Sequence, residues 1–336
     1  VKEWKNSGYY GKTPMNKTTK TPAKNPFATD VLEGLTSTPK TLSSKFFYDK
    51  KGDELFQDIM DLPEYYLTNL EFEILDNHKK EISEAFSAQE GFDLIELGAG
   101  DGKKTKILLR YLQQEQYSFT YVPVDISNNV LQQLTSSLEK ELPELETAPQ
   151  QGTYAEVLER LEEYRSRKKV IMFLGSNLGN LLPEQAVNFL KKITAAMGPE
   201  DLFFIGLDQK KHPKKILDAY NDASGVTEAF NKNLLTRINR ELDGDFEEES
   251  FIHWPVYNPE SGTTKSYLVS TKEQSVHIKS LNLEVKFEAW ESIHTEISQK
   301  YDSASVNWLA QQAGMKITGS FTDKDRYFKN YIFRKK

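Results

Sequence analysis

The chain has 336 residues, 38% of them hydrophobic and 28% charged, enough for two domains or one large domain with a real core. Its formal net charge of -7 argues against a broad nucleic-acid footprint. The absence of cysteine excludes disulfides, thiolate zinc sites, iron–sulfur clusters and a cysteine nucleophile.

Residues 1–25 are rich in lysine, threonine and asparagine, show little periodicity and are expected to be disordered. The segment is basic but has no apolar stretch, so no signal peptide is read, Met15 is taken as the natural start, and a cytoplasmic protein is expected. From about Phe27 to Phe86 the pattern is helical. Leu55, Ile59 and Leu62 recur at helical spacing until Pro63, and LEFEILDNHKKEISEAF reads as one further amphipathic helix.

The chain then alternates. Strands are expected over 92–97, 118–125, 168–176 and 201–208, and helices over 103–114, 128–142 and 183–197. That rhythm implies an α/β fold built on a parallel sheet. Pro123 sits awkwardly inside one of these strands. The longest apolar runs, such as VIMFL at 170–174, are far too short to span a bilayer. After Asp208 the rhythm breaks. KKHPKK, from Lys210 to Lys215, reads as a solvated loop, residues 219–242 as a helix, and SYLVS and LEVKFEAW as short strands. KITGSFTD and YFKNYIFRK close the chain as a β-hairpin. The five histidines, His78, His212, His253, His277 and His294, show no metal-ligand spacing.

The segment DLIELGAGDGKKTKILL, Asp93 to Leu109, places a glycine-rich turn between a strand and a helix. A phosphate-binding P-loop needs glycine five positions before the Gly102–Lys103 pair, and Leu97 stands there. A dinucleotide fingerprint needs glycine where Lys103 stands. What remains is Glu96, Gly98, Gly100 and Gly102 at alternate positions, which resembles the first motif of class I S-adenosylmethionine-dependent methyltransferases. Glycines let the backbone lie against a ligand, and the helix N-terminus offers unpaired N–H groups. Lys103 or Lys104 can add a point charge for the methionine carboxylate, and Asp125, 25 residues beyond Gly100, suits a ribose diol. The usual nucleobase chemistries lack their parts: there is no cysteine, and FLGSNLGN stands where the Asn/Asp-Pro-Pro-Tyr motif belongs.

KFFYD (45–49), LPEYY (62–66), FLGSNLGN (173–180), DAYNDASGVTEAFNKNLLTRINREL (218–242) and TEIS (295–298) together resemble the histidine Nα-methyltransferases of ergothioneine biosynthesis, over about residues 30–335. The resemblance implies a Rossmann-like class I methyltransferase core, 73–208 and 299–336, with a second, substrate-binding domain from the N-terminal helices and an insertion, 26–72 and 209–298. It implies S-adenosylmethionine as cofactor and three methyl transfers that turn histidine into hercynine. By resemblance, Asn180 and Tyr220 hold the amino acid's backbone groups, Tyr65, Glu296 and Ser298 face the imidazole, and Tyr48 lies near the amine. Tyr48 and Asn180 are the catalytic candidates. Glu96, Gly98, Gly100, Lys104, Asp125 and Tyr154 are implied around the cofactor. A monomer acting on a small molecule, without nucleic acid or membrane, is expected.

Each residue also has a plain alternative. LPEYY can be a helix stop with two core aromatics, Glu296 a solvated strand residue, Asn180 a helix cap and Tyr220 core packing. The chain departs from the family at Leu67 and Asn69, and carries Thr153 where an acidic residue near the adenine is usual. The family's methionine beside the imidazole aligns with Ser266 or with Tyr267. A methyltransferase of another amino acid or small amine, and a non-catalytic S-adenosylmethionine-binding protein, remain as alternatives.

Overall fold

A computed structural model describes residues 25–161 and 167–336. Of the disordered tail expected over 1–25, residues 1–24, with Met15, lie outside the described residues, and Asn25 departs from the expectation by belonging to the first helix's cap. Asn25 caps the first helix, its side-chain oxygen accepting the Phe27 N–H at 3.0 Å.

Helix α1 (Pro26–Leu35) leads to a short strand, β1 (Lys40–Thr41), and to α2 (Lys50–Met60). Asp49 caps α2 by accepting the Gly52 N–H at 2.8 Å. The helix stops at Met60, short of Pro63, because a proline disfavours helical geometry in the residue before it. The single helix expected over 70–86 is two, α3 (Leu67–Asn77) and α4 (Lys79–Phe86), parted at His78, whose φ of -115° and ψ of 13° leave the helical region.

The alternating region supplies β2 (Phe92–Leu97), α5 (Thr105–Gln114), β3 (Phe119–Asp125), α6 (Asn128–Glu141), β4 (Gln150–Gln151), α7 (Tyr154–Leu161), β5 (Lys168–Phe173), α8 (Pro183–Ala196) and β6 (Leu202–Asp208). The later elements are α9 (Pro213–Asp218), α10 (Val226–Leu242), β7 (Phe251–Asn258), β8 (Thr263–Ser270), β9 (Gln274–Ile278), β10 (Leu283–Phe287), β11 (Ser292–Gln299), α11 (Ser303–Gln312), β12 (Met315–Thr322) and β13 (Phe328–Lys335). The helix expected over 219–242 begins only at Val226. Asp222 accepts the N–H groups of Val226 at 2.9 Å and Thr227 at 2.8 Å, and Gly225 takes φ +78°, so the chain turns before α10 starts.

Seven strands form one sheet in the order β12-β13-β6-β5-β2-β3-β4. The five from β6 to β4 run parallel, the four expected strands together with the unexpected β4; the terminal hairpin joins antiparallel, β13 against β6. Helices cover both faces, one with Leu158, Leu190 and Leu309, the other with Ile82, Leu108 and Leu134. Pro123 is tolerated because alternate residues of β3 bond toward the irregular 146–152 edge, as Tyr121 does with Glu146 and Ala148, so its missing N–H falls there. The chain steps from β2 to β3 and β4 on one side, then to β5 and β6 on the other. This reversal leaves a crevice at the carboxyl ends of β2 and β5, where ligands of such sheets bind.

A second sheet, β1-β11-β8-β7, and the β9–β10 hairpin share a core with α1, α2 and α10 through Val31, Ile59, Leu234, Phe251, Leu268 and Ile293. Tyr66, Ile74, Tyr220 and Phe328 form a smaller cluster between the two bodies of structure. Helix α3 and strand β11 run across residues 72/73 and 298/299, so the sequence-based divisions fall inside shared elements.

Candidate active site

The glycine turn after β2 is pinned to the end of β3: the Gly98 and Ala99 N–H groups both donate to the Val124 carbonyl, at 2.8 and 3.1 Å. Gly98 has φ +74°, and a Cβ there would lie 2.6 Å from the Tyr154 hydroxyl. Gly100 has φ +55°, yet a Cβ there would meet nothing within 4 Å. The turn is therefore closed by Tyr154 at one glycine and open at the next. Asp125 accepts the Gly100 N–H at 3.3 Å and the Ser127 N–H at 2.9 Å, which fixes its carboxylate at the rim of the turn. Tyr154 packs edge-on against Phe173, and burial, with the charges of Asp125 and Glu96, raises its phenol to about 12.

Glu96 lies beneath the turn. One oxygen accepts the Thr105 hydroxyl at 2.6 Å and the other the Tyr121 hydroxyl, so both are engaged by protein. Burial pushes its carboxyl up to about 7 against those hydrogen bonds. Lys104 also has a partner that the sequence reading missed: its ammonium lies 2.5 Å from the fully buried Glu71 of α3. Glu71 in turn accepts the Gly175 N–H at 2.8 Å and the Asn330 amide at 2.9 Å, joining α3, the loop after β5, and β13. Lys103 reaches Asp101 at 3.2 Å and Gln57 of α2 at 3.5 Å. Thr153 is occupied capping α7 with Glu156.

Across the crevice stands an aromatic wall. Tyr48 and Tyr65 each set an edge against Phe56, and Tyr48 another against Phe230. Tyr48 keeps 46% of its surface open. Burial of its hydroxyl and the nearby charges of Glu296 and Asp53 nevertheless raise its phenol well above the ordinary value. Tyr65 is raised likewise, by burial and then by Tyr220, Tyr48 and Glu296. Asp53 is pushed up by burial and by the charges of Asp49 and Asp125. Tyr48 and Tyr65 thus share the aromatic cluster of Phe56 and Phe230, and the charge of Glu296 bears on both phenols.

Glu296 is aimed by a β-bulge. The register of β11 on β8 shifts between His294 and Glu296, with the bulged Thr295 held by Asn231 at 2.7 Å and by the Ser266 carbonyl at 3.1 Å. Bulges re-aim side chains beside functional sites. Glu296 then stands opposite the fully buried Ser266, whose hydroxyl donates to it at 3.4 Å, while Tyr267 turns toward His294, ring centroids 5.3 Å apart. Ser266, not Tyr267, is thus the neighbour of the carboxylate. Burial raises Glu296 to about 7, against the pull of Lys300 and the Ser266 hydrogen bond.

Ser298, one pleat further along β11, accepts the Tyr220 hydroxyl at 2.8 Å. Both oxygens are also bonded by Lys300, at 2.9 and 2.8 Å, and Lys300 pairs with Asp208 at 2.9 Å. Lys300 and Asp208 are wholly buried. Asp208 also takes the Tyr66 hydroxyl at 2.9 Å and pairs with Lys211. Lys211 is therefore buried rather than solvated, in contrast to the loop expected for KKHPKK, and burial lowers its ammonium to about 8 even against the charge of Asp208. Neither Lys300 nor Asp208 was marked by any sequence motif.

Asn180 closes a short 3₁₀ turn, Asn177–Asn180, that lies flush on β11: a Cβ at Gly179 would stand 2.8 Å from the Gln299 carbonyl. The Asn180 amide is half-buried and has no side-chain hydrogen bond among the described residues, so its donors and acceptor are available to a ligand.

The family described as histidine-specific methyltransferases, S-adenosylmethionine-dependent, matches residues 27–335. A histidine N-alpha-methyltransferase of Mycolicibacterium smegmatis is 36% identical over 294 residues, covering 88% of this chain and 90% of the relative. One of Mycobacterium tuberculosis is 36% identical over 295 residues, with the same two coverages of 88% and 90%. Ergothioneine biosynthesis protein 1 of Neurospora crassa is 30% identical over 298 residues, 86% of this chain and 32% of that longer protein.

Proposed function

The chain belongs to the histidine-specific, S-adenosylmethionine-dependent methyltransferases, and on that premise we propose that it methylates the α-amine of L-histidine three times, to the trimethylated betaine. The observation that carries this reading is Glu296: a single carboxylate aimed by a bulge into an aromatic neighbourhood, able to accept a ring N–H.

The crevice fits the cofactor. Open space at Gly100 admits a ligand against the backbone, Asp125 suits a ribose diol, and Lys104 and the start of α5 suit a carboxylate. S-adenosylmethionine supplies a methyl group on a sulfonium, an electrophile that needs only a well-placed neutral amine. We assign Gly98, Gly100, Asp125, Lys104 and Tyr154 to holding it, and Glu96 to supporting the turn from below.

We assign the free Asn180 amide and the Tyr220 hydroxyl to the backbone groups of the amino acid, and Tyr65, Glu296 and Ser298 to its ring. Tyr48, its phenol held protonated, offers an oxygen lone pair to the amine N–H and not a phenolate base. The faces of Tyr48 and Tyr65 stabilise the cationic product by about 0.5–2 kcal/mol each. A ring lacking hydrogen-bonding groups would leave Glu296 and Ser298 unpaired and so be rejected. We take 73–208 and 299–336 as the methyltransferase part and 26–72 and 209–298 as the substrate-binding part, in a cytoplasmic monomer that binds small molecules and not nucleic acid. No helix among the described residues is long and apolar enough to cross a membrane.

The test is incubation with S-adenosylmethionine and a panel of amino acids, read by mass spectrometry. Mass increments of one, two and three methyl groups on histidine alone are expected. Transfer to another amino acid with histidine untouched would refute the assignment, and cofactor binding without transfer to any amine would favour a non-catalytic protein.

A further inference from the structure

Lys300 carries three N–H donors, and three buried acceptors surround it: Asp208 at 2.9 Å, Tyr220 at 2.8 Å and Ser298 at 2.9 Å. Its ammonium is thereby saturated, and an acceptor position on each of the two hydroxyls is filled. The hydroxyls lie 2.8 Å apart and share one hydrogen, with Tyr220 donating to Ser298. Two hydroxyls own two hydrogens. The second, on Ser298, has no acceptor among the described residues.

We propose that Lys300 is a positioning residue that makes Ser298 an obligate hydrogen-bond donor to the substrate ring, so that the site reads a neutral imidazole, one nitrogen accepting from Ser298 and the other donating to Glu296. This deepens the functional reading above and rests on it. A buried ammonium and the Tyr220 hydrogen fill both acceptor positions of Ser298 and disfavour a further N–H approaching its oxygen, whereas a ring lone pair meets a hydrogen already turned toward it. Asp208 keeps the ammonium charged in spite of its burial. The device is electrostatic and directional, and neither Lys300 nor Ser298 is assigned to the reacting amine.

Lys300→Met is expected to fold, because it leaves Asp208 paired with Lys211 and bonded by Tyr66. The full-length protein is assayed with S-adenosylmethionine on histidine and on the two pyrrolylalanine isomers, each of which keeps one ring N–H and lacks the second nitrogen's lone pair. The wild-type protein should prefer histidine over the better isomer by ~10-fold or more in kcat/KM, the size of one unsatisfied buried hydrogen-bond donor. Lys300→Met and Ser298→Ala should both bring that preference within about 3-fold, through KM for the amino acid, with KM for S-adenosylmethionine unchanged. A Lys300→Met protein that loses all three substrates by one common factor, its preference intact, overturns the proposal.

If Lys300→Met does not give a cooperative melt, Ser298→Ala against Tyr220→Phe decides. The preference should collapse in the first and survive in the second, since Ser298 then still holds Lys300; survival in both, or the reverse, overturns the proposal. A wild-type protein that methylates no histidine sinks the functional reading. One that methylates histidine and the pyrrolylalanines equally sinks only this inference.

Discussion

Glu296→Gln keeps the length of the side chain and removes its charge, and its consequence should depend on pH. Glu296 titrates near 7 because burial opposes ionisation while Lys300 and the Ser266 hydroxyl favour it. Its pKa is raised, so the carboxylate is present above that value and lost below it: about nine in ten sites are ionised at pH ~8 and about one in ten at pH ~6. A hydrogen bond from a ring N–H to an ionised carboxylate contributes about 1.5–3 kcal/mol, which is about 10- to 150-fold in Kd. The Gln carbonyl still accepts the ring N–H and keeps about 0.5–1.5 kcal/mol of this, so calorimetry with histidine should give a variant-to-wild-type Kd ratio of about 5- to 12-fold at pH ~8, falling toward unity at pH ~6. Taking the ratio removes the ionisation of the free ligand. The same titration with S-adenosylmethionine should change by no more than about 2-fold, since Glu296 lies on the amino-acid side. Equal loss of both ligands, or a ratio flat across this range, would refute the assigned role.

Gly98→Ala and Gly100→Ala should separate folding from binding. The first combines φ +74° with a Cβ 2.6 Å from the Tyr154 hydroxyl and should lower Tm; the second has φ +55° and open space, so it should retain more stability and still lose S-adenosylmethionine affinity. Each left-handed alanine costs about 1–2 kcal/mol, so a Gly100→Ala protein with unimpaired cofactor binding would contradict the site. Glu71→Gln removes the carboxylate that serves Lys104, Gly175 and Asn330. Urea unfolding should show a loss of about 2–3 kcal/mol, less than for a fully buried pair because Lys104 is partly hydrated. Glu96, raised from 4.5 to about 7, makes the folded state hold a proton that the unfolded chain releases. That contribution is complete below 4.5 and declines as pH rises through 7, an effect of order ~3 kcal/mol. Glu96→Gln should lose that pH dependence from its own stability–pH curve, so that it appears in the difference between the wild-type and variant curves; identical slopes would count against the buried, neutral carboxyl.

The parallel strands were legible because their apolar runs are continuous and their turns carry glycine or proline: the strand over 92–97 was read at its observed bounds, and that over 202–208 to within a residue. Breaks decided by a single side chain were not. His78 parts α3 from α4, and Asp222 caps α10 seven residues into the expected helix, although both stretches keep helical periodicity. The two-residue strand β4 has too few residues to show any period.

What the sequence determined by itself is local. The glycine turn and the alternation of strand and helix depend on residues a few positions apart, so their physics is written in order along the chain. What only the tertiary structure decided is the pairing of charges and the aim of side chains. Lys300 meets Asp208, Lys104 meets Glu71, and a bulge at Thr295 turns Glu296 toward Ser266. Each depends on groups brought out of water together by distant segments, and neither composition nor spacing specifies which buried charge will find which partner.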